Sequence, residues 1–308
     1  MTLVDEIEEI AKRRGFFWLS QEIYGGVSGF YDYGPLGSLL KQNIERLIKD
    51  HFISEGCLMI EAPVLTSLKP WIASGHVKGF ADMLAECTSC GEAYRADHLV
   101  EENLKIKTEG KKSKEIQELL QKNKIKCPKC AGELSEVYDY NLMFRSTIGP
   151  GKDKIEGALR PETAQTTYMA FRRLFEIGRK KLPLCVLQMG KSFRNEISPR
   201  KALVRLREFT QAEIQLFVHP KKKEWDLSEV KDADALVLTK NDQLKDTKPK
   251  KMKISGLAEK KLTNSMIAYF LGASLELYKR MGIDAKKLRL RQHRDDERSF
   301  YSSYTLYV

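Results

Sequence analysis

Residues 192–217 read SFRNEISPRKALVRLREFTQAEIQLF. Two strand-like pieces flank a loop that holds Arg194, Arg200, Arg205 and Arg207, interleaved with Glu196, Glu208 and Glu213. Strand alternation on the N-terminal side separates Cys185, Leu187, Met189 and Phe193 from Gln188, Ser192, Arg194 and Glu196. On the C-terminal side it separates Thr210, Ala212, Ile214, Leu216 and Val218 from Phe209, Gln211, Glu213 and Gln215. Paired as a hairpin, the two strands merge their polar faces into one surface and keep their apolar faces on a core. Such a loop is either a solvated hairpin, whose surface ion pairs contribute little, or the seat of a polyanion, because a guanidinium is a planar fork matched to phosphate oxygens.

The whole chain leans the same way. It has 308 residues, 42% of them hydrophobic, enough for one large core or a core with inserted subdomains. Lys and Arg number 53 against 42 Asp and Glu, a net charge of +11, and a basic surplus favours anionic partners such as phosphates or nucleic acid. No apolar run approaches the ~20 residues that span a bilayer. The N-terminus, MTLVDEIEEIAKRRGFF, has no apolar h-region. A cytoplasmic protein with no membrane partner is expected.

Composition divides the chain into five segments. Residues 1–85 carry a helical pattern (Val4, Ile7, Ile10), an aromatic and glycine-rich loop or hairpin, a second helix with Leu40, Ile44, Leu47 and Ile48 on one face, and a buried strand broken at Pro63. Residues 86–135 are polar and bounded by two C-x-x-C pairs, Cys87/Cys90 and Cys127/Cys130, with a solvated helix expected between them. In a reducing compartment that spacing suggests one zinc held by four thiolates; buried reduced cysteines are the alternative. Cys57 and Cys185 lie in apolar strands and read as core. Residues 136–218 resume core strands around an amphipathic helix whose apolar face is read as Ala164, Tyr168, Phe171 and Phe175. Residues 219–287 form a charged insertion with one apolar strand and one helix, and residues 288–308 return to a strand pattern.

Four segments, GFYDYGPLG (29–37), LRPETAQ (159–165), SFRNEISPR…RLREF (192–209) and RLRQH (289–293), resemble in order and spacing the homodimeric type of glycyl-tRNA synthetase, a class II aminoacyl-tRNA synthetase family. The resemblance spans residues 29–293. It implies an α+β fold, an antiparallel sheet flanked by helices with two insertions. It implies the activity of a glycine-tRNA ligase: ATP-dependent activation of glycine to glycyl-adenylate, then transfer to tRNA(Gly). Phe193, Arg194, Asn195, Glu196, Arg205 and Phe209 fill the family's ATP-clamping motif. By resemblance Arg194, Glu196 and Arg205 are the catalytic set. Arg194 meets the α-phosphate, Arg205 the γ-phosphate, Glu196 the adenine or the tRNA end, and Phe209 stacks on adenine. Val204, Leu206, Arg207 and Glu208 complete the ATP contacts. No covalent enzyme intermediate is needed, since orienting two anions and neutralising charge at phosphorus suffices.

For glycine the resemblance implies Glu162 at the α-ammonium, with Arg95, the strand Phe209, Thr210, Gln211, Ala212 and Glu213, and Arg291 near the carboxylate. From its position alone Glu162 reads better as a helix N-terminal carboxylate favoured by the dipole. A substrate without a side chain must be selected by exclusion. Residues 39–63 resemble the family's dimer-forming helix and strand, and an ordinary core helix and strand is the competing assignment. Mg²⁺ is expected with ATP, and zinc at the cysteines. The family's third motif, its Mg²⁺ ligands and its anticodon-binding domain find no counterpart up to Val308. Poor activity is therefore expected of this polypeptide alone, with a second chain as one source of the third motif. The alternative function is a non-catalytic synthetase-like protein that binds tRNA or serves as an accessory subunit.

Overall fold

The helix α1 (Leu3–Arg13) begins with Asp5 and Glu6 and ends with Lys12 and Arg13, the order a helix dipole favours. The aromatic, glycine-rich stretch after it is a hairpin, β1 (Phe17–Leu19) antiparallel to β2 (Tyr31–Tyr33). In the first turn of α2 (Pro35–Ser54), a Cβ at Gly37 would stand 1.7 Å from the carbonyl oxygen of Phe16, so only glycine lets the helix start there. Gly56, at φ +82°, turns the chain after α2 into β3 (Leu58–Ile60). The computed structural model describes residues 3–199, 202–222, 224–298 and 302–308, and Arg200 of the arginine loop lies outside them. The chain groups into two units: Met1–Gln42, Leu58–Ile177 and Val186–Gln215; and Asn43–Cys57, Gly178–Cys185 and Leu216–Val308.

Within the first unit, β4 (Leu65–Ser67) leads through the short helices α3 (Lys69–Ala73) and α4 (His76–Gly79) to β5 (Ala81–Glu86). β5 pairs antiparallel with β6 (Ala93–Arg95), and the turn between them carries Cys87 and Cys90. The segment between the cysteine pairs was expected to be a solvated helix. It is two helices, α5 (Ala96–Leu104) and α6 (Ser113–Lys122), which bury Leu99, Val100, Ile116 and Leu120 against Ala85, Tyr94, Cys87 and Cys127. The sparse apolar residues, Ile116 and Leu120 one turn apart, are enough to close a small core of their own. β7 (Tyr138–Asn141) pairs with the other side of β5.

β8 (Arg145–Ile148) and β9 (Ile155–Leu159) form a separate antiparallel sheet with β4. The helix α7 (Ala164–Ile177) follows, and its buried face differs from the expected one. Thr166, Thr167 and Leu174 point inward, while Tyr168 is 48% exposed. The reason lies in β10 (Leu184–Phe193). Gln188 of that strand is fully buried and needs polar partners, which the hydroxyls of Thr166 (3.0 Å) and Thr167 (2.7 Å) supply. β10 sits centrally, between β11 (Glu208–Phe217) and β3, with β3 parallel to it. The register Val186↔Leu58 puts Cys185 beside Cys57, one residue earlier on each strand, and the two form a disulfide with Cα atoms 4.4 Å apart. Both are buried, as expected of core residues, and they are bonded to one another.

The second unit folds around its own sheet. β12 (Asp234–Leu238) is followed by α8 (Lys240–Leu244), started by a Thr239/Asp242 capping box, then by β13 (Lys250–Lys253) and α9 (Ile254–Glu259). α10 (Ser265–Arg280), capped by Asn264, precedes β14 (Leu290–Gln292) and β15 (Leu306–Tyr307). The strand order is β13-β12-β14-β15, with β14 parallel to β12. Residues 288–308 therefore share a sheet with the charged segment, and Leu290 packs with Val237, Ile254 and Leu257. Among the described residues no helix is long and apolar enough to cross a membrane.

Replacing Gly37 by alanine forces a Cβ onto the Phe16 carbonyl. The expected cost is about 1–3 kcal/mol, seen as a lower urea midpoint at unchanged slope; an unaltered midpoint refutes the close approach.

Candidate active site

The strand pair β10–β11 carries its polar residues on a shared face, as its alternation requires. Ser192 Oγ donates to Gln211 Oε1 (3.1 Å), Gln211 Nε2 donates to Glu213 Oε1 (2.6 Å), and Gln215 Nε2 reaches Glu213 Oε2 (3.4 Å). Where the strands part, Arg194 N donates to Arg207 O (2.9 Å) and closes the base of the arginine loop. The Arg194 guanidinium carbon lies 5.4 Å from the ring centroids of both Phe80 and Phe209. Two ring faces thus hold the cation, and its Nε donates to Pro161 O (3.2 Å). Phe80 escaped the sequence reading, because nothing in GFADML marks it as a partner of an arginine more than a hundred residues later.

Beside this arginine stand two carboxylates. Glu162 accepts from Gln165 Nε2 (3.1 Å), and His76 Nε2 lies 3.4 Å from the same oxygen. The contact with His76, then Gln165, holds the Glu162 carboxyl below its usual range against the opposing effect of burial. Its carboxylate is engaged by side chains, which separates it from a simple helix cap. Glu213 is shifted the other way, raised by burial and by the neighbouring charge of Glu162. A pair of carboxylates in a half-buried cleft is completed by a cation, and an ammonium group suits it.

Arg95 forms a third cluster. Its Nη1 pairs with Asp82 (3.0 Å), and its Nε (3.1 Å) and Nη2 (2.5 Å) fork onto Asp97. Burial raises the Asp82 carboxyl, offset by Arg95 and then by Arg205. The Asp97 carboxyl is held low by Arg95 in spite of burial. Arg95 and Arg205 line one cavity of about 310 Å³ together with Tyr94, His98, Glu102 and Ser198.

The remaining residues of the loop divide by role. Arg207, expected among the ATP contacts, spends its donors on backbone carbonyls: Nη1 on Ser28 O (2.6 Å) and Nη2 on Glu196 O (2.8 Å). Glu208 pairs with Lys191 (2.8 Å), because strand alternation turns it away from its neighbour. Arg207 N also donates to Gly29 O (2.9 Å), and Ser28 Oγ donates to Pro199 O (2.8 Å). Gly29, at φ +86°, would bring a Cβ within 2.8 Å of Pro199, so the glycine-rich hairpin lies directly on the arginine loop. Asn195 donates its backbone N–H to Leu142 O (2.8 Å) and its amide to the Tyr140 hydroxyl. Val204 is 82% exposed and Leu206 is buried. Thr210 and Ala212 alternate with Phe209, Gln211 and Glu213 along half-buried β11. Arg291 belongs to the second unit, where it engages Gln243 (3.0 Å) and Glu297 (2.5 Å).

Arg160, unremarked in the sequence, is fully buried under this surface and donates to Lys191 O (2.7 Å) and Ala62 O (2.8 Å). Gly190 makes room for it: a Cβ there would meet Arg160 Nη2 at 2.5 Å.

Away from the cleft, the Sγ atoms of Cys87, Cys90, Cys127 and Cys130 all lie within 4.8 Å of one another, with Cys87–Cys130 at 3.5 Å and Cys90–Cys127 at 3.7 Å. Four thiolates about 2.3 Å from a tetrahedral zinc stand roughly 3.8 Å apart, so the donor set fits that ion. Burial raises the Cys127 thiol, but hydrogen bonds from Tyr94 and from the backbone of Cys130 and Lys129 outweigh it and bring it down to about 6.

Residues 150–240 match the tRNA synthetase class II core domain (G, H, P, S and T). The fold is accordingly that of a class II aminoacyl-tRNA synthetase core, α+β, built around the strand–loop–strand described above. Within that class the relatives are glycine–tRNA ligases. The one from Methanocaldococcus jannaschii is 48% identical over 97% of this chain and 53% of its own length. Those from Thermococcus sibiricus and Pyrococcus furiosus are each 46% identical, over 98% and 97% of this chain and 53% of theirs. The chain spans about half the length of the curated relatives it matches. A solved structure of the RNA binding domain of threonyl-tRNA synthetase from Cryptosporidium parvum Iowa II aligns at TM-score 0.43 and 14% identity, over 89% of this chain and 51% of that one.

Because the Glu213 carboxyl is raised, the folded state binds its proton more tightly than the unfolded chain does. Its ionisation costs stability as pH rises from the ordinary 4.5 through the raised value. The melting temperature of Glu213→Gln, relative to the parent, is therefore more favourable at pH 7 than at pH 4; equal differences at the two pH values would falsify the shift.

Proposed function

We propose that this chain is the ATP- and glycine-handling portion of a glycine–tRNA ligase. The observation that carries the proposal is the Arg194 guanidinium, fixed between Phe80 and Phe209 next to the Glu162/Glu213 pair. A zwitterion with no side chain fits that polarity: its ammonium goes to the carboxylates, and its carboxylate stays free to attack. ATP enters as its Mg²⁺ complex. The glycine carboxylate oxygen attacks the α-phosphorus, the bond to the bridging oxygen breaks, and pyrophosphate leaves with the electron pair. Arg194 neutralises charge gathering on the α-phosphate in a geometry set before the substrate arrives. A second ring edge-on or face-on to the cation leaves Phe209 free on its other side for the adenine. Arg205 would meet the outer phosphates, a reading supported by the cavity it lines with Arg95 and by its electrostatic reach to Asp82. In the second step a hydroxyl of the terminal adenosine of tRNA(Gly) attacks the adenylate carbonyl and releases AMP. Arg207 and Asn195 shape the loop by holding backbone and the Tyr140 hydroxyl, so their part in ATP binding is indirect.

Three further assignments belong to the same proposal. Zinc at the four cysteines would hold the ends of the α5–α6 module together, consistent with thiol spacing and the lowered Cys127. A homodimer would cover the apolar residues Leu36, Leu39, Leu40 and Ile44 exposed along α2, and Leu3, Ile7 and Ile10 of α1. The net charge of +11 suits a cytoplasmic tRNA partner.

Glycine-dependent pyrophosphate exchange tests the activity. It is expected to be weak from this chain and strong when the remaining half carried by the relatives is added. In that mixture Glu162→Gln raises the KM for glycine by about tenfold or more, the worth of a hydrogen bond to a charge. Phe80→Ala weakens ATP by about three- to thirtyfold, the worth of a desolvated cation–π contact. Absence of exchange in both settings favours the non-catalytic tRNA-binding reading. The purified protein should carry near one zinc per chain and scatter light at twice the 35.4 kDa of one chain. A metal content near zero after expression with ample zinc rejects the zinc assignment, and a monomeric mass rejects the dimer.

A further inference from the structure

The cysteine cluster and the arginine network occupy opposite ends of one short hairpin. Cys87 follows directly on β5, and Asp82, near the start of that strand, pairs with Arg95, the last residue of β6. The register Leu84↔Arg95, Ala85↔Tyr94, Glu86↔Ala93 leaves only three residue pairs between them, roughly 10 Å of strand. The three residues of β6 face three different structures. Ala93 O accepts from Ser198 Oγ (2.9 Å), within the loop that joins β10 to β11. Tyr94, buried, has its hydroxyl 3.3 Å from Cys127 Sγ, in the second cysteine turn. Arg95 forks onto Asp97 and lines the cavity it shares with Ser198 and Arg205, whose wall also includes Pro128 from that same cysteine turn.

We propose that Tyr94 is a positioning residue through which metal binding at the four cysteines orders the arginine loop. A buried phenol must keep a partner, and a metal-bound thiolate is an acceptor held at one place. The second cysteine turn is separated from the first by 36 residues of chain, counted between Cys90 and Cys127. Metal closes that loop at its base. Without it the turn is restrained by the α5–α6 core, by the Lys129–Glu92 ion pair (2.8 Å) and by backbone bonds of Thr88 N to Glu133 O and Ser135 N to Glu86 O, none of which bonds the Cys127 sulfur itself. Tyr94 then loses its fixed acceptor, β6 is freer to shift, and Ala93 no longer offers Ser198 a stationary carbonyl. The consequence for nucleotide binding rests on the function proposed above, whereas the coupling itself does not.

Amide hydrogen exchange on the intact 308-residue chain, zinc-loaded and after chelation, tests the coupling in the parent, Tyr94→Phe and Ser198→Ala. Chelation is expected to speed exchange at residues 195–198 and 202–207 of the parent about five- to tenfold, the opening that follows loss of one hydrogen bond. Zinc-loaded Tyr94→Phe, with one metal per chain verified by metal analysis, should show the faster loop while α5 and α6 stay protected. Ser198→Ala should show a fast loop that no longer responds to zinc. The proposal is overturned if the parent loop is indifferent to chelation, if the chain takes up no zinc, or if zinc-loaded Tyr94→Phe exchanges like the parent. Should Tyr94→Phe fail to fold or to retain zinc, Ser198→Ala decides, and a preserved zinc response in its loop refutes the coupling. Binding of a fluorescent ATP analogue is measured alongside. A loop that responds to zinc while ATP affinity does not counts against the loop's nucleotide role and leaves the coupling standing.

Discussion

A single guanidinium held between two aromatic rings sets the terms for the rest of the cleft. Arg194 cannot sit between Phe80 and Phe209 unless α4 ends where it does, β11 begins where it does, and the Pro161 carbonyl is turned toward it. Ring faces hold the cation without using up its charge, as a carboxylate would. The neighbouring arginines show the contrast. Arg95 is neutralised by Asp82 and Asp97, and Arg207 and Arg160 are spent on backbone carbonyls. Of the four, Arg194 is the one held by ring faces, with one donor on the Pro161 carbonyl and the Glu162 carboxylate within its field. This difference in partner chemistry, more than the abundance of arginine, separates Arg194 from the arginines fastened to carboxylates and carbonyls.

The support for that residue reaches outward in layers. Gln188, buried in the central strand, draws Thr166 and Thr167 of α7 onto the sheet and leaves Tyr168 outside. With its amide oxygen turned to Arg160 Nη1 (3.0 Å), the same side chain joins the threonines to the buried arginine. Arg160 in turn secures Lys191 O, at the end of β10 just before Arg194. Buried polar networks of this kind cost stability when incomplete, and here they fix the strand that leads into Arg194. The glycine-rich hairpin adds a lid-like wall: Gly29 and Ser28 lie against Pro199 and Arg207, where any side chain at residue 29 would collide.

Much of the cleft was legible in the sequence because it follows from short-range rules. Period-two alternation placed Gln211, Glu213 and Gln215 on the face that carries Ser192, and their hydrogen bonds realise it. Two C-x-x-C pairs announced a four-thiolate cluster, and their sulfurs do converge. The helix α7 was misread for the same reason that alternation succeeds. Hydrophobic periodicity assumes that apolar residues seek the inside, and it has no means of knowing that a buried glutamine on another strand would call for threonines. The Cys57–Cys185 bond was likewise invisible until the parallel register of β3 and β10 set the two residues side by side.

By itself the sequence determined the strand–loop–strand, the residue types available to phosphate and ammonium, the cysteine spacing and the family resemblance, all of them properties of neighbours along the chain. Tertiary structure alone decided which arginine is held by ring faces, that Phe80 completes its clamp, that burial and the charge of Glu162 raise the Glu213 carboxyl, and that Arg207 is a fastener. Those outcomes depend on distances between residues far apart in sequence, where burial and the nearest partner set both charge state and role. A linear pattern specifies what a side chain can do, while the fold specifies which of its options is already taken.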